Sequence, residues 1–294
     1  MEIDRRNLLA GGVTLAAGAA GLGSAEPAPA APKKQAIQKI TSQEGIIPGA
    51  TLKEKLDRLE KWGFDGIEFW GGGLKERIPA IKAEMKGRPL AISATCAGFQ
   101  GALMSDQASE REKAMRTIKE ILSVAAEMGS TGMIIVPAFN NQTKLNHIEG
   151  RKILMDLLPE VGEHGVKVGS RVLLEPLNRG EAWFLRQVAD AGEICKEINS
   201  PGVCLMGDMY HMYLEEPSDM GAFISGARWI HHVHLASIKR NLPGQDERDF
   251  RDGFKGLKMI GYQDFMSLEC SVIGDREVEI PKAVRFLRKQ WAEA

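Results

Sequence analysis

The 294-residue sequence predicts a single α/β domain, a (β/α)8 TIM barrel, preceded by an N-terminal signal segment. Short apolar runs alternate with amphipathic helical stretches, and the alternation repeats eight times. No Gly-x-Gly-x-x-Gly motif follows any of these runs, which disfavours a dinucleotide-binding sheet. Eight such units over about 250 residues suit a closed barrel better than an open doubly wound sheet. We therefore expect one barrel domain over residues 36–294.

Residues 1–31 are typical of an export signal peptide followed by a Pro/Ala-rich linker. Arg5 and Arg6 precede a mild apolar stretch that ends in small residues, where a signal peptidase could cut. Paired arginines in this position resemble a twin-arginine translocation signal and predict a periplasmic protein. The alternatives are an ordinary secretory signal or a retained anchor. The stretch is too short and too rich in glycine for a stable membrane span.

Several of the eight predicted strands are almost continuously apolar, as expected of parallel strands that are buried on both faces. They cover residues 37–42, 66–70, 91–97, 132–137, 172–177, 203–208, 230–235 and 265–270. Amphipathic helices are predicted at 51–62, 110–128, 147–164, 188–198, 219–227, 249–260 and 277–291. A glycine follows residues 62, 128, 164 and 260, where it is expected to end a helix.

The composition excludes some functions. The net charge of −1 gives no basic surface for nucleic acid. The four cysteines are widely spaced and form no Cys-x-x-Cys pair, so we interpret them as packing residues rather than as zinc ligands. Disulfides are the less favoured alternative, because a domain of this size does not need them.

Carboxylates follow the predicted strands at the end where such barrels carry their chemistry. Glu175 and Glu269 end the fifth and eighth strands, and each is either a ligand or half of a buried ion pair. Asp208 ends the sixth strand and could serve only as the N-cap of a following turn. His211, three residues later, favours a shared ligand instead.

The seventh strand contains three histidines. Alternation places His232 and His234 on the inner face, and His231 toward the helices. His234 lies nearer the catalytic rim and is the better metal ligand, whereas His232 is interpreted as a residue that supports a metal ligand from one layer deeper or only packs. Each of them, taken alone, would more often be an ordinary core histidine.

Four of these residues end successive strands: Glu175, Asp208, His234 and Glu269. Because neighbouring strands lie about 4.8 Å apart, four consecutive strand ends can converge on one ion. Three carboxylates and one imidazole form an oxygen-rich set, which favours Mn, Mg or Co. Carboxylates this close would repel one another without a cation. The sequence therefore predicts one divalent metal.

The chain resembles the xylose isomerase-like family of sugar isomerases and epimerases over residues 36–291. The resemblance is carried by Leu-Glu-Pro-Leu-Asn-Arg at 174–179, Asp208-x-x-His211, His232-x-His234, Arg240 with Pro243-Gly244, Asp249-Phe250 and Ser-Leu-Glu at 267–269. Within the family, the pattern is most similar to the D-tagatose/D-psicose 3-epimerases. It departs from them at Ser237 and at 245–248, and the substrate is left open.

The resemblance implies a metal-dependent sugar isomerase or epimerase that works through an enediolate stabilised by the metal. It implies that Glu175, Asp208, His234 and Glu269 bind the metal and that Glu175 and Glu269 are the catalytic acid and base. It also implies that Glu181, His211 and Arg240 bind the substrate, a small sugar or polyol.

Two alternatives stay open at this point. The same metal site could serve a lyase or dehydratase of keto-sugars, keto-glycosides or inososes. The chain could instead be a non-catalytic, exported sugar-binding barrel. Assembly into a homo-oligomer is also left open. Glu68 and Trp70 are further candidates for lining the pocket, and core or salt-bridge roles fit them equally well. Cys96, Phe139 and Trp183 could form an apolar wall, but such residues more often only pack.

Overall fold

The computed structural model describes residues 34–294, so the predicted export signal at 1–31 lies outside the described residues. Eight parallel strands form a closed barrel in chain order, and β8 pairs with β1. The predicted (β/α)8 barrel is thereby confirmed. The strands are β1 Lys39–Gln43, β2 Gly66–Trp70, β3 Ala91–Cys96, β4 Met133–Ile135, β5 Val172–Leu174, β6 Val203–Asp208, β7 Ile230–Leu235 and β8 Phe265–Leu268.

Helices connect the strands on the outside of the barrel. They are α1 Leu52–Trp62, α2 Ile78–Met85, α3 Ala108–Glu127, α4 His147–Val168, α5 Val188–Ile198, α6 Met209–Glu215, α7 Asp219–Gly226, α8 Arg251–Ile260 and α9 Arg276–Glu293. Within residues 34–294, no helix combines the length and apolar character needed to cross a bilayer.

Several predicted boundaries were wrong. Helix α4 does not end at residue 164 but continues to Val168, and Gly169 ends it with a φ of 81°. A Cβ on Gly165 would lie 2.9 Å from the carbonyl oxygen of Ser170, so this glycine permits close packing rather than ending the helix. Helices α2 and α6 were not predicted. Strands β4, β5 and β8 are shorter than expected, so Glu175 and Glu269 directly follow their strands.

Most of the core packs between the barrel wall and the surrounding helices, as in Ile67, Phe223 and Leu257. A second cluster of buried residues lies on the strand faces that carry the polar strand ends: Ala94, Cys96, Ile134, Leu173, Cys204 and Met206. Alternation along a strand places Leu173 on the face of Glu175, and Met206 on the face of Asp208. The candidate site therefore rests on an apolar floor. All four cysteines are free, as predicted.

An irregularity in β7 sets the register of the site. Leu205 of β6 pairs with Ile230, but the next residue, Met206, pairs with His232. His231 is thus an additional residue in β7, as in a β-bulge. From there the register brings Asp208 opposite His234. If His231 paired regularly with Met206, with no bulge, Asp208 would lie opposite Val233.

Candidate metal and catalytic site

The four predicted metal ligands meet at the mouth of the barrel. One ligand atom from each of Glu175, Asp208, His234 and Glu269 lies within 4.8 Å of all the others. His234 Nδ1 lies 3.5 Å from Glu175 Oε1, 3.9 Å from Asp208 Oδ2 and 3.1 Å from Glu269 Oε2. Asp208 and His234 are fully buried, and Glu175 is 5% exposed. The sequence prediction that these side chains converge therefore agrees with the structure.

Three of these buried ligand atoms have no hydrogen-bond partner among the described residues: Glu175 Oε1, Asp208 Oδ2 and His234 Nδ1. An unsatisfied buried polar group costs about 1–3 kcal/mol, so three of them in one place need an explanation. The other oxygen of Asp208 accepts from the backbone N–H of Tyr210 at 2.7 Å and caps α6. The cap and the ligand position are thus compatible in one carboxylate.

The electrostatics of the cluster favour a cation. Burial raises the pKa of Asp208 to about 8, and the negative charge of Glu269 acts in the same direction. Burial also raises the pKa of Glu175. At His234 burial lowers the pKa, but Glu269 and Glu68 outweigh it and raise that pKa well above its usual value. All three shifts reflect surplus negative charge in a dry site. The oxygen-rich donor set fits a hard divalent cation that would compensate this charge.

The two candidate acid–base carboxylates have different surroundings. Glu269 Oε1 accepts from the amide of Gln43 at 2.7 Å, and Oε2 accepts from Nη2 of Arg240 at 2.7 Å. Burial raises the pKa of Glu269, but His234 and Arg240 outweigh burial and the net shift is downward. Glu175 Oε1 lacks such donors. Glu269 is therefore the better stabilised carboxylate anion.

The three residues predicted to bind substrate lie together beside the cluster. His211 Nδ1 accepts from the backbone N–H of Asn178 at 3.2 Å, and His211 Nε2 lies 2.9 Å from Nη1 of Arg240. Arg240 has a φ of 56°, which is unusual for a residue with a side chain and recurs at functional sites. Glu181 Oε1 lies 3.7 Å from Nη1 of Arg240, and the side chain of Glu181 is half-exposed.

Another polar group lies beneath the candidate ligands; the sequence analysis singled out its Glu68 and His232 but missed Gln43. Glu68 is fully buried and contacts Nε2 of both His232 and His234, at 2.8 Å and 3.2 Å. Its pKa is about 2 because these histidines outweigh the opposing effect of burial. Gln43 donates to Glu68 Oε1 at 3.0 Å. Gln43 ends a strand that is itself rich in polar residues, Lys39–Gln43, so no sequence signal singled it out.

A cavity of about 350 Å³ opens beside this group and is lined by Gln43, Glu44, Gly45, Lys55, Glu68, Trp70 and Cys96. Trp70 is 58% exposed. Three of the weaker sequence candidates, Glu68, Trp70 and Cys96, therefore line a space next to the cluster. Trp183 instead packs against the rings of His147 and Phe184. Phe139 is partly exposed and is not among the residues lining this cavity.

Comparison with known proteins gives consistent matches. The family described as xylose isomerase-like TIM barrel matches residues 56–290. The 3-dehydro-D-guloside 4-epimerase of Escherichia coli (strain K12) is 29% identical over 239 residues, which are 79% of this chain and 91% of that protein. The ketose 3-epimerase of Arthrobacter globiformis is 25% identical over 259 residues, covering 85% of this chain and 88% of that protein.

A solved structure shows the same architecture. The apo form of 3-keto-D-glucoside 4-epimerase from E. coli superimposes with a TM-score of 0.80 and 27% sequence identity. The superposition covers 86% of this chain and all of that one. Since the family match extends over well more than half of the chain, the protein belongs to the xylose isomerase-like TIM barrel family.

Proposed function

We propose that this protein is a divalent-metal-dependent epimerase of keto-sugars, which inverts a carbon next to a carbonyl group. The observation that carries the proposal is the buried cluster in which Glu175 and Glu269 face His234 and Asp208 with three unsatisfied ligand atoms. The matched relatives support the same reaction type, because both curated relatives described above are named as epimerases of sugars.

Glu175, Asp208, His234 and Glu269 would hold the metal, and Mn, Mg or Co suits such an oxygen-rich set. When bound, the cation would stabilise negative charge that develops on the substrate's carbonyl oxygen. A metal thus explains both the close approach of three carboxylates and the unsatisfied atoms of Glu175, Asp208 and His234.

The two glutamates carry the proton transfers. Glu269 is kept ionised by its donors from Gln43 and Arg240, so it is suited to remove a proton from the carbon next to the carbonyl. This leaves an enediolate. Glu175, in its protonated form, delivers a proton to the opposite face of the same carbon and inverts its configuration. The reverse reaction exchanges the two roles, and both carboxylates regain their starting state by exchange with water.

The neighbouring residues hold the substrate. The guanidinium of Arg240 and the imidazole of His211 lie side by side and can donate to hydroxyl or oxyanion oxygens. The half-exposed carboxylate of Glu181 can accept from a sugar hydroxyl. Fixing the ring in this way orients one carbon–hydrogen bond toward a carboxylate.

We extend the proposal to keto-glycosides as the substrate class. The cavity of about 350 Å³ beside Glu68 leaves room for a group attached to the sugar, and exposed Trp70 offers a face on which it can stack. The E. coli relative is named as acting on a guloside. The same enediolate could also expel a leaving group from the neighbouring carbon, so a lyase is the second candidate function.

The deciding experiment uses deuterated water. The protein lacking residues 1–31 is loaded with Mn²⁺ and incubated with ketoses, inososes and 3-keto-glycosides, and the products are followed by NMR. We expect a new epimer with deuterium at the inverted carbon. Release of water or of the aglycone would favour the lyase. Tight sugar binding without deuterium incorporation would contradict both. The chelator-treated protein is the control.

We further propose that residues 1–31 direct export to the periplasm by the twin-arginine route, on the basis of Arg5 and Arg6. Fusing this segment to a folded reporter tests the proposal. Replacing both arginines by lysine is expected to abolish export. Continued export of the double variant would instead indicate an ordinary secretory signal.

A further inference from the structure

Beneath the four candidate ligands, the barrel interior contains a polar group formed by Gln43, Glu68 and His232, which we name the brace. Glu68 and His232 are completely buried. Glu68 lies on β2, which is separated from β7 by β1 and β8. Its side chain therefore reaches across the barrel to contact the two inward histidines. A buried carboxylate with such a reach needs a role.

We propose that Glu68 is a positioning residue that fixes the imidazole of His234 with its hydrogen on Nε2, which leaves Nδ1 as the metal-binding atom. The inference rests on the metal site proposed above. Both carboxylate oxygens of Glu68 lie 3.2 Å from His234 Nε2. An ionised carboxylate only accepts hydrogen bonds, so Nε2 carries the hydrogen. Nδ1 faces the ligand cluster, with Glu269 Oε2 at 3.1 Å and Glu175 Oε1 at 3.5 Å, and is the nitrogen that a bound cation would take.

Glu68 is itself held by two more donors. His232 Nε2 lies 2.8 Å from Oε2, and Gln43 Nε2 lies 3.0 Å from Oε1. The same nitrogen of Gln43 lies 2.7 Å from Glu269 Oε1, so its two hydrogens serve one brace carboxylate and one candidate ligand. A change at Glu68 can thus reach the cluster by two routes, through His234 and through Gln43 to Glu269.

The structure also provides a matched control. Asp264 Oδ2 lies 2.8 Å from Nδ1 of His231, on the outer side of the same strand. This second pair of histidine and carboxylate has the same contact distance as the pair of Glu68 and His232 but touches no candidate ligand. Glu68→Gln and Asp264→Asn therefore make the same chemical change on the two sides of β7.

The main test is the affinity for Mn²⁺ alone, measured by titration calorimetry. A glutamine at position 68 has one acceptor oxygen, and its NH₂ group would oppose an imidazole N–H, so one histidine loses its orientation. We expect the Kd of E68Q to rise about 10- to 100-fold, as for other groups that orient metal ligands. D264N should stay within about twofold of the wild type. An E68Q value within about twofold of the wild type would overturn the inference.

Because Glu68 is fully buried, E68Q could fail to fold, which circular dichroism of the metal-free proteins would reveal. In that case the inference is tested by NMR of the wild-type protein, saturated with Mg²⁺ and labelled with ¹⁵N-histidine. We expect His234 to carry a hydrogen on Nε2 that exchanges slowly with water, and none on Nδ1. A hydrogen on Nδ1, or fast exchange at Nε2, would overturn the proposal. E68D, which keeps the charge on a shorter side chain, should show an intermediate Kd.

These measurements separate the inference from the proposed reaction. If the wild type binds Mn²⁺ and E68Q binds it weakly, while no sugar is epimerised, the reaction fails and the positioning role stands. If sugars are epimerised and E68Q binds Mn²⁺ as the wild type does, only the positioning role fails. A wild-type protein that binds no divalent metal would overturn both.

Discussion

Two sides of the barrel differ in how many of their buried polar atoms have hydrogen-bond partners. On the side formed by β1 and β2, the oxygens of Glu68 accept from three side chains, and both hydrogens of the Gln43 amide have acceptors. On the side formed by β5 to β8, Glu175, Asp208 and His234 each leave one buried atom without a partner.

Glu68 and Glu175 make the difference clear, because both are buried glutamates inside the same barrel. Surrounding donors lower the pKa of Glu68, whereas burial raises that of Glu175. The residue type is the same, but Glu68 has more donors, and the negative charge of Glu269 acts on Glu175. A buried carboxylate whose oxygens accept from several protein donors is suited to orient its neighbours. A buried oxygen that has no donor marks a place where a ligand can bind.

Removing a ligand from the unsatisfied side should have the largest effect. Asp208→Ala deletes a fully buried carboxylate of the cluster, so we expect loss of epimerase activity to background. The Kd for Mn²⁺ should rise more than about 100-fold, beyond the effect of a group that only orients a ligand. Calorimetric titration measures it. An affinity close to that of the wild type would exclude Asp208 as a ligand.

The next largest effect is expected from neutralising a residue that transfers protons. Glu269→Gln removes the proposed base and keeps the shape of the side chain, so kcat is expected to fall on the order of 10²- to 10⁴-fold. Turnover of a keto-glycoside and deuterium incorporation from the solvent measure this. Glu181→Gln, which changes a half-exposed substrate contact, should mainly raise KM. If E269Q exchanged deuterium at the wild-type rate, Glu269 would not be the base.

Adding metal should stabilise the fold through the unsatisfied side alone. At a free Mn²⁺ concentration of 100 times Kd, binding contributes about 2.7 kcal/mol to the free energy of unfolding. For a domain of this size the melting temperature should rise by about 5–10 °C. Calorimetric scans with Mn²⁺ and with chelator measure the shift. D208A should show none; an equal shift in D208A would mean that the metal binds elsewhere.

The smallest expected effects, on the free energy of unfolding, come from removing the histidines on the two faces of β7. His232→Ala leaves buried Glu68 short of a donor, so we expect a loss of about 1–3 kcal/mol in the free energy of unfolding. His231→Ala breaks a partly exposed pair with Asp264 and should cost less than about 1 kcal/mol. Urea unfolding of the metal-free proteins measures both. Equal losses would show that burial of the pair does not matter.

The sequence predicted the architecture well because the fold depends on a repeated pattern. Apolar runs at regular spacing were sufficient to predict eight strands and a closed barrel. Boundaries were less accurate, because they depend on tertiary packing. In the sequence Gly165 resembles a glycine that ends a helix, but in the structure its lack of a Cβ permits close contact with Ser170. Helix α6 was missed because it has only seven residues.

The candidate site was predictable to the extent that its residues stand at strand ends. Glu175, Asp208, His234 and Glu269 were found in this way, and the structure brings them together. The contacts within the brace, and the part that Gln43 plays in them, were not predictable from the same rule. The role of Gln43 depends on contacts with residues 25 and 226 positions away in the chain. No local pattern reports such contacts, so only the three-dimensional arrangement shows them.

The register of β7 beyond its bulge makes this site sensitive to chain length as well as to side-chain identity. With the bulge kept, deleting Val233 would turn His234 toward the outer helices and place the isobutyl group of Leu235 beside Asp208. Every proposed ligand would still be present in such a sequence, yet the cation could no longer be held. Descendants of this chain could therefore lose the chemistry by a single-codon deletion that a tally of matching residues would overlook.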